Sequence, residues 1–439
     1  MFSQLAPGGD SSAMNRSLTS LWLCVAILYA AAVAAQRTDA FVTTRDHPAI
    51  NYSKGAVTDR VAALDEKLRD GTARLTFDAA TGYLRSTLDA LSIPVESQVA
   101  VFAQNSFQAP LINMKNPRTL FFNDSVALGY VRGGTVMEVA ALDPRQGVIF
   151  YTLDQTAKQA PRFARNDNCL ACHLSWTTLG VPGYFVLSMQ TVPEDKNAYA
   201  SGFASDHRTG FDTRWGGWYV TGALGGIRHI ANRPVSTAST TDAVQPEARE
   251  LKSLAGVIDT SGYLSAHSDA VALMVLEHQT HMANLIVRLG WETRLAEFER
   301  RRGVIPAARP GHSSRVEQAA SDLVDYLLFV DEAPLPARIR GSSAFAEKFA
   351  ARGPLDSRGR SLRQFDLERR LMRYPCSYMI YSDAFEALPS EAKHVVYRRL
   401  SEVLSGRERN ARYASLSSAD RQAVTEILRD TKMDLPPQF

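Results

Sequence analysis

A switch in texture, from strand-like to helical, is the sequence feature that most constrains this fold. From Thr119 onward, Leu120-Phe121-Phe122, Val126 to Val131, Val136 to Ala141 and Val148 to Leu153 are rich in β-branched and aromatic residues. Asn123-Asp124, Gly133-Gly134 and Asp143-Pro144 separate them as turn signals. This close spacing predicts an antiparallel meander, followed by strand-like pieces at Tyr184 to Val192 and Trp215 to Thr221. Upstream, Val57 to Leu68 predicts a helix, and Val99, Val101 and Phe102 form a short apolar run. Beyond residue 248 the pattern turns helical, over 268–298, 314–332, 343–351, 362–387, 391–405 and 417–431, with Ser417 and Ser418 suited to an N-cap. The expected class is α+β, with a β-rich antiparallel N-terminal and central part and a mainly helical C-terminal part. The polar stretch 234–247 reads as a linker between a mixed, β-rich region (36–233) and a helical domain (248–439).

The first 35 residues read as a processing signal. Arg16 precedes an apolar run from Leu21 to Val33, which ends in Ala31, Ala32, Val33, Ala34 and Ala35, small residues that suit signal-peptidase cleavage. The expectation is therefore a periplasmic or otherwise exported protein. It would touch the membrane only if that segment stays uncleaved, since the run is nearly long enough to span. Removing 1–35 takes away Asp10, Arg16 and Cys24, so the formal charge of +3 is unchanged. No Lys/Arg block interleaved with aromatics is present, so no nucleic-acid partner is expected. Three cysteines remain, Cys169, Cys172 and Cys376, too few for a disulfide framework.

Two of the three lie in Cys169-Leu170-Ala171-Cys172-His173. Thiols at this spacing share one face of a helical turn, so both can reach the two vinyl groups of one porphyrin, and the adjacent imidazole then sits over the iron. This is the pattern of covalent c-type haem attachment. It predicts one haem c, bound by Cys169 and Cys172 with His173 as axial ligand, and a β-rich region arranged around it. A zinc site would need a fourth ligand and would rarely use adjacent Cys and His together. A thioredoxin-like dithiol would follow a strand, whereas this pair follows the polar loop Arg165-Asn166-Asp167-Asn168. For the iron's sixth position His207 ranks first and His278 second, followed by His229 and Met189. His207 lies in a turn-like stretch, and His278 shares a helical face with Val271, Met274, Val275, Met282 and Leu285. Trp215-Gly216-Gly217-Trp218 could wall the haem pocket, the glycines admitting a close neighbour. Arg162, Arg165, Arg208 and Arg214 could pair with the propionates.

The motif resembles the attachment sequence of the c-type cytochromes. Asn116-Pro117-Arg118 with Phe122-Asn123-Asp124, Arg214 to Gly222, and Leu276-Glu277-His278-Gln279 extend the likeness to a set of large bacterial proteins with a single haem motif. No reaction is attached to that set, so the resemblance implies haem binding alone. The chain lacks the second motif of the bacterial dihaem peroxidases. The sequence thus leads to an exported monohaem c-type cytochrome that transfers electrons with a redox partner protein. Its alternatives are a peroxidase-like haem oxidoreductase with an open or displaceable sixth site, and a docking module. Whether the chain is an enzyme is left open.

Overall fold

The computed structural model describes residues 41–189, 202–233, 250–303, 314–437 and 439. The signal segment 1–35 and the linker 234–247 lie outside these described residues. The chain divides into two compact units, Met1–Lys54 and Gly55–Phe439. In the first, residues 41–45 form a helical turn, and the His47 carbonyl accepts from the Ile50 and Asn51 amides.

The second unit opens with α1 (Arg60–Arg69), started by Asp59, whose carboxylate accepts from the Val61 and Ala62 amides. Val61, Leu64 and Leu68 form its buried stripe. After α2 (Leu84–Ala90) come β1 (Val99–Val101), β2 (Arg118–Phe122), β3 (Val126–Tyr130), β4 (Val136–Asp143), β5 (Gly147–Asp154) and β6 (Phe163–Arg165). They form the expected antiparallel meander. With β9 (Trp218–Tyr219) added beside β1, the sheet has seven strands in the order β6-β5-β4-β3-β2-β1-β9. A second, two-stranded ladder pairs β7 (Val186–Met189) with β8 (Gly202–Ser205).

The two faces of the meander differ, because successive side chains in a strand point to opposite sides. Phe121, Leu128, Val139 and Tyr151 fall in register on one face with Val126, Ala141, Ile149, Met137 and Leu153, and all are buried. On this face Tyr151 donates its hydroxyl to Asp59 at the start of α1, at 2.6 Å. The opposite face carries Arg118, Leu120, Ala127, Glu138, Ala140 and Thr152, all half-buried, around the bare backbone of Gly129. The same face also carries Phe122, Leu142, Val148 and Phe150, which are buried, so it is covered at one end and partly open around Gly129.

The helices follow. α3 (Leu170–His173) is a single turn, and α4 (Ala270–Arg301) is the long one, capped by Asp269. α4 is buried on every side over Ala270–Gln279, so it serves as a central core helix with no solvent face along that stretch. Against it pack α5 (Arg315–Leu327), α6 (Phe345–Ala350), α7 (Asp383–Glu386) and α8 (Ser390–Leu404), and α9 (Ser418–Thr431) packs on α8. Ser417 and Asp420 form a capping box on α9, as the sequence suggested for Ser417. β10 (Gly222–Ala223) pairs with β11 (Arg340–Gly341), so chain from before and after 234–247 meets in one ladder within one compact unit.

One helical expectation fails. Residues 362–387 form turns, a 3₁₀ turn at Tyr378–Tyr381 and the single turn α7. The Asp366 carboxylate accepts from the Glu368 and Arg369 amides, Leu367 takes a left-handed φ of 57°, and Phe365 bridges to Met372. Asp competes for backbone amides in this way, and Pro375 removes a donor, so local turns displace the helix.

Candidate functional site

The Cys-X-X-Cys-His segment folds as two short turns run together. Asn166 accepts from the Asn168 amide and starts a 3₁₀ turn at Asp167–Cys169, which continues into α3. Ser175 and Thr178 then form a capping box on the next 3₁₀ turn, Trp176–Thr178. Cys169 is half-buried and Cys172 exposed, and both are free thiols.

The imidazole of His173 has a defined tautomer. Its Nδ1 lies 2.9 Å from the Gly183 carbonyl, which can only accept, so Nδ1 carries the proton and Nε2 keeps its lone pair. Burial pulls the ring down to about 4, so it stays neutral near pH 7. Phe150 and Phe185 flank the ring at 4.8 and 5.5 Å between centroids. Gly183 also donates its amide to the His173 carbonyl at 3.0 Å. Asn284 of α4 fixes that segment, accepting from the Tyr184 amide at 3.2 Å and donating to the Tyr184 carbonyl at 2.9 Å. A side chain at Gly183 would put its Cβ 2.1 Å from the Asn284 oxygen, which explains the glycine. Asn284, Gly183, Phe150 and Phe185 were not legible as site residues, because each contact depends on packing.

Phe150 belongs to the half-open sheet face, opposite Ala140. Next to it on that face are Glu138 and Arg118, paired at 2.9 Å. Glu138 also accepts from Ser106 at 2.5 Å and from Gln108 at 3.1 Å. Burial, with Glu138 adding to it, pushes the Cys169 thiol up to about 11. That is the reverse of the lowered pKa an exchange-active dithiol requires. Large apolar side chains are exposed at Trp176, just after the motif, at 67%, and at Phe107, between Ser106 and Gln108, at 59%. Among the described residues no group of three or more His, Cys, Asp or Glu side chains is placed to hold a metal ion by itself. A cavity of about 400 Å³ lined by Arg145, Val287, Gly290, Arg294 and Leu388 does not include the motif.

The candidates for the sixth position are placed differently. His207 and His278 face each other, Nδ1 to Nδ1 at 2.8 Å, and His278 Nε2 meets the Ser377 hydroxyl at 2.7 Å. Both rings are buried and stack on aromatics, His207 on Tyr326 at 4.1 Å and His278 on Phe329 at 4.4 Å. Burial holds His207 well below the usual histidine range and pulls His278 to about 3. His229 is buried against Trp215 and its Nδ1 accepts from the Ala231 amide. Met189 is a buried β7 residue. Gly216 does admit a close neighbour, namely Met189's own carbonyl, which a Cβ there would meet at 1.9 Å. Trp215, Trp218 and Tyr219 are accordingly buried core residues. Each suggested propionate partner already has an acid: Arg162 with Asp65, Arg165 with Asp167, Arg208 with Asp206, and Arg214 with Glu277.

Comparison with protein-family models, with curated proteins and with solved structures finds no match to this chain. The site's own chemistry therefore carries the functional reading. Two thiols and a neutral imidazole with one open nitrogen suit a porphyrin, which supplies four of the iron's ligands itself and asks the protein for one or two. They do not suit a zinc ion, which needs four donors.

Proposed function

We propose that this chain is an exported monohaem c-type cytochrome, with haem c attached through Cys169 and Cys172, His173 as axial ligand, and electron transfer to or from a partner protein as its work. The observation that carries the reading is the fixed tautomer of His173. Its Nδ1 is committed to the Gly183 carbonyl and its Nε2 is left open, in the segment that carries two free thiols. Metal-ligating histidines typically hold their second nitrogen in this way, which orients the ring and raises its basicity. Bound haem would supply a one-electron iron centre. The chain's residues hold the ring neutral, aim it, and flank it with the aromatic rings of Phe150 and Phe185. Aromatic neighbours of this kind suit a flat, apolar macrocycle.

A second reading, a haem-dependent oxidoreductase with an open or displaceable sixth site, draws on a separate observation. His207 and His278 are bonded to each other, and among the described residues their contacts share no residue with those of His173. Arg118 and Glu138, the charged groups whose fields reach the His173 ring, are not strong iron ligands.

The test is expression with the haem-attachment machinery, followed by a pyridine haemochrome spectrum and an intact mass. Red protein carrying covalent haem is expected, whereas colourless protein at the bare polypeptide mass would end both readings. Added cyanide then separates them: an unmoved low-spin Soret band supports the carrier, and a shifted one supports the open site.

A further inference from the structure

The Arg118–Glu138 pair is more elaborate than a surface ion pair requires. Both side chains are largely covered, at 19% and 15% exposure. Glu138 takes three donors, from Arg118, Ser106 and Gln108. The sheet leaves out a side chain to seat the guanidinium, because a Cβ on Gly129 would lie 2.8 Å from Arg118 Nε and 2.9 Å from Nη2. Glycine in mid-strand weakens a sheet, so its presence marks a close approach. Gly134 does the same for Gln108, whose side-chain oxygen would sit 2.3 Å from an added Cβ. Arg118 Nε is buried with no hydrogen-bond partner among the described residues.

The register fixes where this assembly lies. Glu138 pairs with Thr152, and Phe150 is two residues away on the same strand and the same face. Diagonal neighbours of this kind are roughly 7–8 Å apart. Phe150 in turn packs on the His173 ring at 4.8 Å. A partly covered charge pair thus stands one side chain away from the His173 ring, in surroundings that screen it less than bulk water.

We infer that Arg118 and Glu138 set the reduction potential of the iron held by His173, acting as positioning charges that do not ligate it; this rests on the cytochrome reading above. One-electron reduction lowers the positive charge at the iron by one. A nearby carboxylate favours the oxidised form and lowers the potential, and a nearby guanidinium raises it. The two oppose one another, so each becomes visible when the other is removed.

The experiment is a spectroelectrochemical titration of purified, haem-loaded full-length protein, following the α-band. Glu138→Gln should raise the midpoint potential and Arg118→Gln should lower it. The double variant Arg118→Met with Glu138→Gln should fall between the two single variants. Opposite signs are what a merely structural role would not produce, since loosening the site moves both variants the same way. Should an Arg118 variant fail to fold, Glu138→Gln and the charge-neutral double variant carry the comparison. Haem-loaded variants with unmoved potentials, or with shifts of one sign, overturn the inference and leave the cytochrome reading standing. Wild-type protein without haem overturns that reading instead.

Discussion

Two histidine environments within one compact unit use the same side chain differently. At His173 one ring nitrogen is used and the other left open, at the edge of a half-covered sheet face. In the α4 core, His207 and His278 spend three of their four ring nitrogens on each other and on Ser377, within a stack of Tyr326 and Phe329, and the fourth, His207 Nε2, is buried without a partner among the described residues. Below them Arg214 and Glu277 form a fully buried ion pair at 3.3 Å, which Ser205 and the His207 carbonyl complete. All three histidines are held neutral by burial. Neutrality is therefore common to all three rings and does not distinguish them. What separates the regions is whether a lone pair is left facing something other than protein.

The sharpest way to break this contrast is at the thiols. Replacing Cys169 and Cys172 together with Ser should abolish covalent haem altogether, seen as loss of the red band after denaturing electrophoresis and haem staining. Retention of the stain would mean that attachment lies elsewhere. In the buried region, Arg214→Met should destabilise the fold by about 3–5 kcal/mol, because it strands Glu277 without its partner. Urea unfolding measures this, and a loss under about 1 kcal/mol would show the pair to be no part of the core's stability.

His278→Gln sharpens the comparison directly. It should leave the visible spectrum and spin state of the loaded protein untouched, while the loss of its paired contacts lowers stability by ~1–3 kcal/mol. A changed spin state would put His278 on the iron and erase the distinction drawn between the two regions.

The smallest effect is in pH. The folded-state values of His207 and His278 are depressed, the latter to about 3, below an unfolded value near 6.5. Above pH 6.5 both states are neutral and nothing is gained or lost. Below it the unfolded chain takes up protons that the folded chain refuses, so stability falls as pH drops toward 3, by up to about 1.4 kcal/mol per pH unit and group. His229 and His281 are also lowered, each to about 4, and add to the same decline. Unfolding midpoints between pH 7.5 and 5 should slope less steeply in His278→Gln than in the wild type. Parallel slopes would contradict a buried neutral ring.

Local pattern carried much of the fold. The strands at 118–122, 126–130, 136–143 and 147–154 lie where β-branched runs and turn residues placed them, since both signals act over a few neighbours. The helices at Arg60–Arg69, Ala270–Arg301, Arg315–Leu327, Ser390–Leu404 and Ser418–Thr431 were legible for the same reason. At 362–387 the local signal misled, because side-chain oxygens took the backbone amides that a helix needs. Arg118 was missed as a site residue while four other arginines were named. Its partner Glu138 is found through cross-strand register, and no pattern within either strand announces the pairing.

Read alone, the amino-acid order put two thiols and an adjacent imidazole within residues 169–173, because residue spacing is a short-range fact. It could not say which histidine nitrogen stays open. Only the folded chain decides that, since His278 finds its partners 71 and 99 residues away, and His173 owes its free Nε2 to a loop clamped from α4 across 100 residues of chain. A ring nitrogen is used up or spared by whatever packing brings within about 3 Å of it.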